Sequence, residues 1–358
     1  MRSLVKVALG YAYLAVMGAS FSSTLYTFAS PTQAQNHSNE GLFLEFISSY
    51  ELHAYDGVES IIQQTISLYP DVLSLRINLG SLLLEQDRYA EAEAAYREAL
   101  RLDPDLALTH TSLGVALRGQ SRYEEAETAH REALRFAPNL ALAHHNLGVA
   151  LREQGRHAEA EVAFREALRL DPSDALAQTG LGAALGEQGR HAEAEVAHRK
   201  ALRLDPNYKK AHLGLGTALL DQDRYEEAEA AYRAALRPDP GYAKAHTGLG
   251  MALGEQRFYE EAEAAFREAL RLDSNDAKAH NGLGVTLREQ GFYEEAEAAL
   301  REAIRLDPKS ALAHTNLGTA LAKQGHYPEA IAQYHRALEI DPSLTEVEET
   351  ITNLELRL

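Results

Sequence analysis

The chain is long, acidic and free of cysteine. Its 358 residues carry 53 Asp and Glu against 35 Lys and Arg, a formal net charge of -18. A charge of this sign opposes phosphate backbones, so we expect no nucleic acid partner, including RNA bound by helical repeats. The absence of cysteine excludes disulfides, thiolate nucleophiles and Cys-ligated zinc.

Residues 1–34 predict an export signal or a membrane anchor. Arg2 and Lys6 precede an uncharged, largely apolar stretch that runs to about Ala29, and small residues around Ala34 offer a cleavage site. An uncleaved anchor is the alternative, because about 20 apolar residues can span a bilayer. In both cases the basic end stays in the cytoplasm. We therefore expect the rest of the protein to be periplasmic, lumenal or extracellular, or to be anchored on the non-cytoplasmic side of a membrane.

After a short linker at residues 35–38 and a degenerate segment at 39–72, a 34-residue repeat occupies residues 73–344 eight times without insertion or deletion. Two alanine columns recur in every repeat. A Leu-Gly pair also recurs, beginning at Leu79, Leu113, Leu147, Leu181, Leu215, Leu249, Leu283 and Leu317. Such a period predicts stacked supersecondary units in place of one globular core.

Each repeat predicts two helices. The first has helical apolar spacing around its leucine and ends near a turn such as Gly155. The second carries Ala160 and Ala167 at seven-residue spacing and stops before Pro172, which cannot donate to the helix. Small residues at these columns predict close approach of the helices. The alternating Glu and Arg of the second helix predict a solvated face with weak i,i+4 pairs.

The flanking segments predict end caps. Residues 39–72 keep the register of a second helix but lack the Leu-Gly pair, so we expect a worn N-terminal repeat. Residues 345–358 predict a capping helix, with Thr345 and Glu348 as a capping box. The apolar stripe of this helix comprises Val347, Ile351, Leu354 and Leu358.

The repeat resembles a known family, the tetratricopeptide repeat (TPR), over residues 73–344. The resemblance is carried by columns such as Leu147-Gly148, Ala160, Phe164, Ala167 and Pro172. It implies an all-α fold, an α-solenoid of stacked helix-turn-helix units that form a superhelix. It also implies that the first helices line a concave groove for peptides or helices of partner proteins. The sequence departs from the usual aromatic column at His130, His198 and Leu300.

We therefore predict a non-catalytic protein-protein interaction scaffold without a cofactor. The alternative is a TPR accessory subunit that recruits substrates to a separate enzyme. Segments such as Gly180-Leu181-Gly182 lack the preceding strand and the third glycine of a dinucleotide-binding motif. The lysine and asparagine clamp with which some TPR proteins bind chaperone C-termini is also missing.

A histidine column permits two interpretations, metal binding or helix packing. Its members are His110, His144, His212, His246, His280 and His314. Packed helices lie about 8–10 Å apart, whereas ligand nitrogens on one zinc ion lie about 3–3.5 Å apart. We therefore favour packing and predict no metal site. Burial of neutral imidazoles would make folding acid-sensitive.

The candidate binding groove lies on the first helices of three consecutive repeats. Residues spaced 3, 4 and 3 apart share one helix face there. Lys210, Lys244 and Lys278 form a column on this face, which favours an acidic or amphipathic partner segment. The other candidate residues are Leu213, Thr217, Thr247, Met251, Asn281, Val285 and Arg288. The alternative is that the lysines are merely solvated.

Three further features qualify this groove. Asn146 and Asn316 lie where related superhelices bear asparagines that hold a ligand backbone, so both join the candidate site. Gly186 and Gly254 remove side chains from the groove and predict close approach of a partner backbone, together with the glycines beside it, Gly180, Gly214, Gly248 and Gly282. Pro238 replaces an apolar residue and predicts an early helix end and a hinge.

Overall fold

The computed structural model describes residues 55–357. The chain divides into two compact units, Met1–Pro172 and Ser173–Leu358, here called the N-terminal and C-terminal units. The predicted export signal or anchor, the linker at 35–38 and the first part of the worn repeat lie outside the described residues, as does Leu358. Within the described range, no helix has the length and apolar character that a bilayer crossing requires.

Eighteen α-helices and no strand make up the described part of the chain. In the N-terminal unit they are α1 Tyr55–Leu68, α2 Leu73–Glu85, α3 Tyr89–Leu102, α4 Ala107–Gly119, α5 Tyr123–Phe136, α6 Ala141–Glu153 and α7 His157–Leu170. In the C-terminal unit they are α8 Ala175–Gly186, α9 His191–Leu204, α10 Lys209–Leu220, α11 Tyr225–Leu236, α12 Ala243–Glu255, α13 Tyr259–Leu272, α14 Ala277–Gln290, α15 Tyr293–Leu306, α16 Ala311–Lys323, α17 Tyr327–Ile340 and α18 Thr345–Glu355. From α2 to α17, even-numbered helices are first helices and odd-numbered helices are second helices.

Within each unit, every helix contacts its neighbour in sequence, and first helices of consecutive repeats also contact one another. The predicted all-α solenoid is therefore confirmed. The alanine columns explain the tight pairing, since Ala160 is fully buried and Ala167 is 1% exposed. Side chains this small leave room for larger core residues such as Phe164, which is also fully buried.

The glycine of each Leu-Gly pair makes room for the aromatic position of the second helix. A Cβ on Gly250 would lie 2.8 Å from the ring of Phe266, which excludes any larger residue there. The same ring also faces the next repeat, because a Cβ on Gly282 would lie 2.3 Å from it. Two other rings of the C-terminal unit are held in the same way: Tyr232 by Gly216 and Gly248, and His198 by Gly182 and Gly214.

This packing corrects the prediction that the first glycines of the Gly-Leu-Gly segments admit a partner backbone. Gly214, Gly248 and Gly282 each face a ring from the preceding repeat, and Gly180 is itself buried. The space that the missing side chain leaves is filled from within the protein. Sequence alone could not show this, because the ring comes from a position sixteen residues earlier on another helix.

The turn between the two helices of each repeat uses a left-handed residue. The positions are Asp87, Ser121, Gly155, Gly189, Asp223, Arg257, Gly291 and Gly325, all with φ between 57° and 89°. Glycine adopts this conformation without a Cβ penalty, whereas a side chain is strained there. Arg257, at φ 64°, is the bulkiest residue in this column.

Some charged residues of the second helices bind the next repeat, which the sequence did not predict. Glu127 on α5 accepts hydrogen bonds from Gln154 (2.9 Å) and Arg156 (2.7 Å), which both belong to the next repeat. Burial alone would raise the pKa of Glu127, but these bonds outweigh it and hold the pKa below its usual value. The prediction of a merely solvated face is therefore wrong for this position, and we call the residue a bridging glutamate.

Bridging glutamates recur along both units. In the N-terminal unit Glu93 accepts from Gln120 (2.8 Å) and Arg122 (2.6 Å). In the C-terminal unit Glu195 accepts from Gln222 (3.2 Å) and Arg224 (2.6 Å). Glu229 and Glu263 keep only the glutamine, because Phe258 and Phe292 replace the arginine. A strict glutamine column that ends the first helices was the overlooked signal: Gln86, Gln120, Gln154, Gln188, Gln222, Gln256, Gln290 and Gln324.

Both end helices pack on the repeats beside them. At the N-terminal end, Glu59 on α1 accepts from Arg88 and so makes the same kind of bridge. At the C-terminal end, Val347, Ile351 and Leu354 of α18 are buried in the core of the C-terminal unit. The predicted capping box is wrong, because α18 begins at Thr345 with Leu344 as its N-cap and has no side-chain cap.

The histidine column ties each first helix to the chain before it. Nε2 of His110 lies 2.8 Å from the carbonyl oxygen of Pro104, and His212 makes the same bond at 2.9 Å to Pro206. The remaining members make the equivalent contact: His144, His246, His280 and His314. These imidazoles therefore connect consecutive repeats, and all but His314 are only partly buried.

Two histidines outside this column are the most deeply buried. His130 and His198 occupy the aromatic position and are 0% and 3% exposed. Burial lowers the pKa of His130 to about 3, helped by the nearby charges of Arg118 and His145, and lowers that of His198 to about 4. The expected acid sensitivity thus has its clearest source at these two positions.

Candidate functional site

In the C-terminal unit, three neighbouring first helices, α10, α12 and α14, carry most of the candidate residues. Helix α12 contacts both α10 and α14, so equivalent positions form rows that run from helix to helix. Residues seven and eleven positions after a given residue return to within about 20° of its direction, since a helix has about 3.6 residues per turn. We call the surface that these positions share the first-helix face.

The lysine row of the first-helix face consists of Lys210, Lys244 and Lys278. All three are exposed, and within the described residues their ammonium groups make no ion pair. The preceding residue in α10, Lys209, differs because it pairs with Asp239 at 2.5 Å. The structure therefore distinguishes a lysine with a structural role from the row of three that faces solvent.

An acidic row lies at the other end of the same helices, at Asp221, Glu255 and Glu289. These residues are exposed and lie eleven positions after the three lysines, hence on the same face. Asp221 lies 3.2 Å from Nδ1 of His191, and Glu289 pairs with Arg288 at 2.7 Å. Sequence reasoning missed this row because it followed the helix face only to the twelfth residue of each repeat.

The middle row separates the two charged rows. It consists of Thr217, Met251 and Val285, seven positions after the lysines. Met251 is 40% exposed, Thr217 is exposed and Val285 is partly buried. Each of the three helices thus presents a cation, a neutral or apolar residue and a carboxylate in sequence along one stripe.

Both charged rows oppose the helix dipole. The N-terminus of a helix carries partial positive charge and the C-terminus partial negative charge. Lys244 is the second residue of α12 and Glu255 is its last. The second helices follow the favourable order, as in α13, which has acidic residues in its first turn and Arg271 in its last. The charges of the first-helix face therefore do not stabilise their own helices.

The structure places the remaining candidate residues differently. Leu213 is partly buried beside the rows, and Asn281 accepts a hydrogen bond from Asn316 at 3.0 Å. Arg288 is largely covered, with 15% of its side chain exposed. These side chains are partly or largely covered, so they lie at the base of the first-helix face and project little from it.

Two candidates are not on the exposed face. Thr247 is 6% exposed and donates to Asp276 at 2.7 Å. Asn146 belongs to the N-terminal unit, is 8% exposed and donates to the carbonyl of Leu142 in its own helix at 2.9 Å. Both side chains satisfy polar groups inside the protein, so the structure does not support their assignment to a ligand-binding surface.

The described residues contain no group of three or more His, Asp or Glu side chains that could hold a metal ion.

The described part of the chain is an all-α solenoid, and its distinctive surface is the first-helix face with its three rows. Sequence profiles described as tetratricopeptide repeat match residues 71–139, 105–173, 140–207 and 241–309, and two further profiles of that description match 185–252 and 284–344. The chain belongs to the tetratricopeptide repeat family.

Solved structures show the same fold at low sequence identity. The chain is similar to a protein of the APC/C hetero-tetramer Cut9-Hcn1, with a TM-score of 0.65 and 19% identity over 84% of this chain and 59% of that one. A tetratricopeptide repeat protein from Parabacteroides merdae gives a TM-score of 0.55 and 17% identity over 70% of this chain and 98% of that one. PilF of Pseudomonas aeruginosa gives a TM-score of 0.52 and 23% identity over 58% of this chain and 94% of that one.

These similarities establish the fold alone. The chain spans about three fifths of the length of the first of these proteins, 59%. No curated protein matches the chain in sequence.

Proposed function

We propose that this protein is a non-catalytic scaffold or adaptor that binds partner proteins through the first-helix face. The observation that carries the proposal is the set of three rows, whose charged residues are exposed and oppose the dipoles of their own helices. TPR proteins generally bind other proteins, which agrees with this assignment. The neutral middle row supplies apolar contact, and the charged rows supply orientation.

A photo-crosslinking experiment tests the proposal. A photoreactive amino acid replaces Met251 in the middle row, and in a control protein it replaces Val196, which is 52% exposed on a second helix of the same unit. We expect a discrete crosslinked partner from cells that naturally produce the protein at position 251 and not at 196. Equal crosslinking at both positions, or none at 251, would contradict a binding role for this face.

The same experiment separates a scaffold from an accessory subunit. An accessory subunit would crosslink stoichiometrically to one catalytic chain and co-purify with its activity. A scaffold would yield partners without an associated activity. In both cases the chain itself is non-catalytic, as TPR proteins generally are, and we favour the scaffold.

We also propose that the protein works outside the cytoplasm, on the basis of the basic and apolar pattern of residues 1–34. Cell fractionation with N-terminal sequencing of the mature chain tests this. A new N-terminus near residue 35 would indicate cleavage of an export signal, and an intact N-terminus in the membrane fraction would indicate an anchor. An intact chain in the cytoplasm would refute the proposal.

A further inference from the structure

We propose that the partner segment is an amphipathic α-helix with one acidic edge and one basic edge, lying across α10, α12 and α14. This inference rests on the proposed function and specifies the partner's conformation and charge pattern. The acidic edge contacts the lysine row and the basic edge contacts the acidic row. The apolar face between the edges contacts Thr217, Met251 and Val285.

The distance between the two charged rows favours a helix over an extended chain. A lysine and the carboxylate eleven residues later are about 16 Å apart along the helix axis, at about 1.5 Å per residue. An α-helix with its side chains is about 10–12 Å wide, and the long side chains of the lysine row span the remaining few ångströms. An extended or polyproline strand is narrower and reaches only one row at a time.

The spacing along each row favours the same occupant. Neighbouring packed helices lie about 8–10 Å apart, so successive members of a row repeat at that distance. Seven residues of an α-helix advance about 10.5 Å and return to nearly the same face. A partner helix with a charge at every seventh residue on each edge therefore matches all three helices in turn.

The two opposite rows also determine the direction of the partner. Turning a bound helix end for end keeps its apolar face on the protein but exchanges its left and right edges. One direction then pairs opposite charges along both rows, and the other pairs like charges, which is unfavourable. A face with only the lysine row would accept an acidic helix in either direction.

A synthetic helical peptide tests the inference with the full-length protein. The peptide carries three glutamates on one edge and three lysines on the other at seven-residue spacing, with leucine and alanine between them and a fluorophore at its N-terminus. Its control has the same composition with both charges mixed on each edge. We expect fluorescence anisotropy to show at least about tenfold tighter binding of the two-edged peptide, a difference that shrinks as salt is raised.

Charge-reversed proteins provide the decisive comparison. One variant combines Lys210→Glu, Lys244→Glu and Lys278→Glu, a second combines Asp221→Lys, Glu255→Lys and Glu289→Lys, and a third carries all six changes and keeps the net charge. All six positions are exposed, and circular dichroism checks the fold. We expect each three-residue variant to lose the preference and the six-residue variant to regain it with the peptide reversed, as measured by energy transfer from the peptide's N-terminus to a label near α14.

Other outcomes identify what has failed. Equal binding of both peptides, or of a proline-containing peptide that cannot form a helix, would overturn the inference, as would a six-residue variant that binds in the original direction. A dimer of the free protein that either row reversal dissociates would make a second copy of the chain the occupant and would also overturn it. In these cases a specific crosslink at Met251 would leave the proposed function standing, whereas loss of that crosslink as well would remove both.

Discussion

At the scale of single residues, the positions that depart from the repeat carry the most information. His198 occupies a site that Phe or Tyr fills in most repeats, and it packs against Gly182 and Gly214 as Phe266 packs against Gly250 and Gly282. Its Nδ1 atom is buried without a hydrogen-bond partner among the described residues. A buried polar atom without a partner destabilises the fold. Burial of the ring costs still more free energy when the ring is protonated and carries a charge.

Burial of His198 should make the free energy of unfolding depend on pH. The pKa of His198 is lowered by burial to about 4 in the folded protein and is about 6.5 in the unfolded chain. The neutral ring's contribution to stability is therefore fully present above pH 6.5 and is lost as pH falls towards 4, by about 1.4 kcal/mol per pH unit. His198→Phe should remove about 2 kcal/mol of the loss measured between pH 7.5 and 5.0 by urea denaturation.

The reverse exchange is the control for this prediction. Phe266→His introduces an imidazole between two glycines of the same kind and should add a similar pH dependence. Carboxylates contribute equally to all three proteins, so the differences isolate the imidazole. Identical pH profiles for the three proteins would contradict the assignment.

The second prediction concerns the left-handed turn. Arg257 has φ 64°, a conformation that costs a non-glycine residue about 1–2 kcal/mol. Arg257→Gly removes this strain but makes the unfolded chain more flexible, so we expect a net gain of about 0.5–1 kcal/mol. Thermal unfolding followed by circular dichroism measures it.

Gly254 provides a contrasting control three residues earlier. It lies inside α12, and a Cβ there would meet no atom within 4 Å. Gly254→Ala should therefore stabilise the protein by about 1 kcal/mol through helix propensity. Stabilisation by alanine at 254 together with destabilisation by glycine at 257 would contradict the role assigned to the turn.

At the scale of helices, the bridging glutamates make some joints between repeats stronger than others. Glu127 is bound by both Gln154 and Arg156 of the next repeat. Glu263 is bound by Gln290, but Phe292 replaces the arginine. Hydrogen bonds to a largely buried carboxylate are stronger than those to an exposed one, because water competes less for the same atoms.

The third prediction follows from this difference. Glu127→Ala should lower the free energy of unfolding by about 1–3 kcal/mol, and Glu263→Ala should lower it less, because Glu263 has fewer partners and greater exposure. Phe292→Arg should raise the urea midpoint by restoring the missing donor. If both alanine variants lose equal stability and Phe292→Arg has no effect, the bridging role is wrong.

At the scale of the whole molecule, the free energy of unfolding of a repeat protein is a sum of local terms. One weak contact between consecutive repeats can therefore be detected separately from the others. Pro238 ends α11 at Leu236, two residues before the corresponding end of α13 at Leu272. The early helix end predicted from the sequence is thus confirmed. The ion pair of Lys209 with Asp239 then connects the following turn to the start of α10.

The fourth prediction is that this joint opens more readily than its neighbours. Residues 230–245 should exchange backbone hydrogens faster than the equivalent residues 264–279, because helix α11 is shorter and lacks one donor. Pro238→Leu should slow the exchange, and Lys209→Ala should accelerate it. Hydrogen-exchange mass spectrometry that finds equal protection in both segments would refute the hinge.

The fold follows from the sequence alone, because a strict 34-residue period prescribes the same local contacts in every repeat. Pro238 acted through local sterics, and the recurrence of the Leu-Gly pairs and alanine columns indicated close helix packing without showing which side chains fill the space. The bond of each histidine in the column to a carbonyl only six residues earlier is likewise a local contact.

Which residues face outward depends on how the helices pack, and the sequence did not show it. Gly248 and Asn146 lie in first helices as expected, yet a ring from the preceding helix fills the space beside Gly248, and Asn146 bonds its own backbone. The partners of Glu127 lie 27 and 29 residues away, a separation at which no local pattern specifies a contact. The lysines were visible in the sequence, but the acidic row became part of the candidate site only when the packed helices showed both rows on one exposed face.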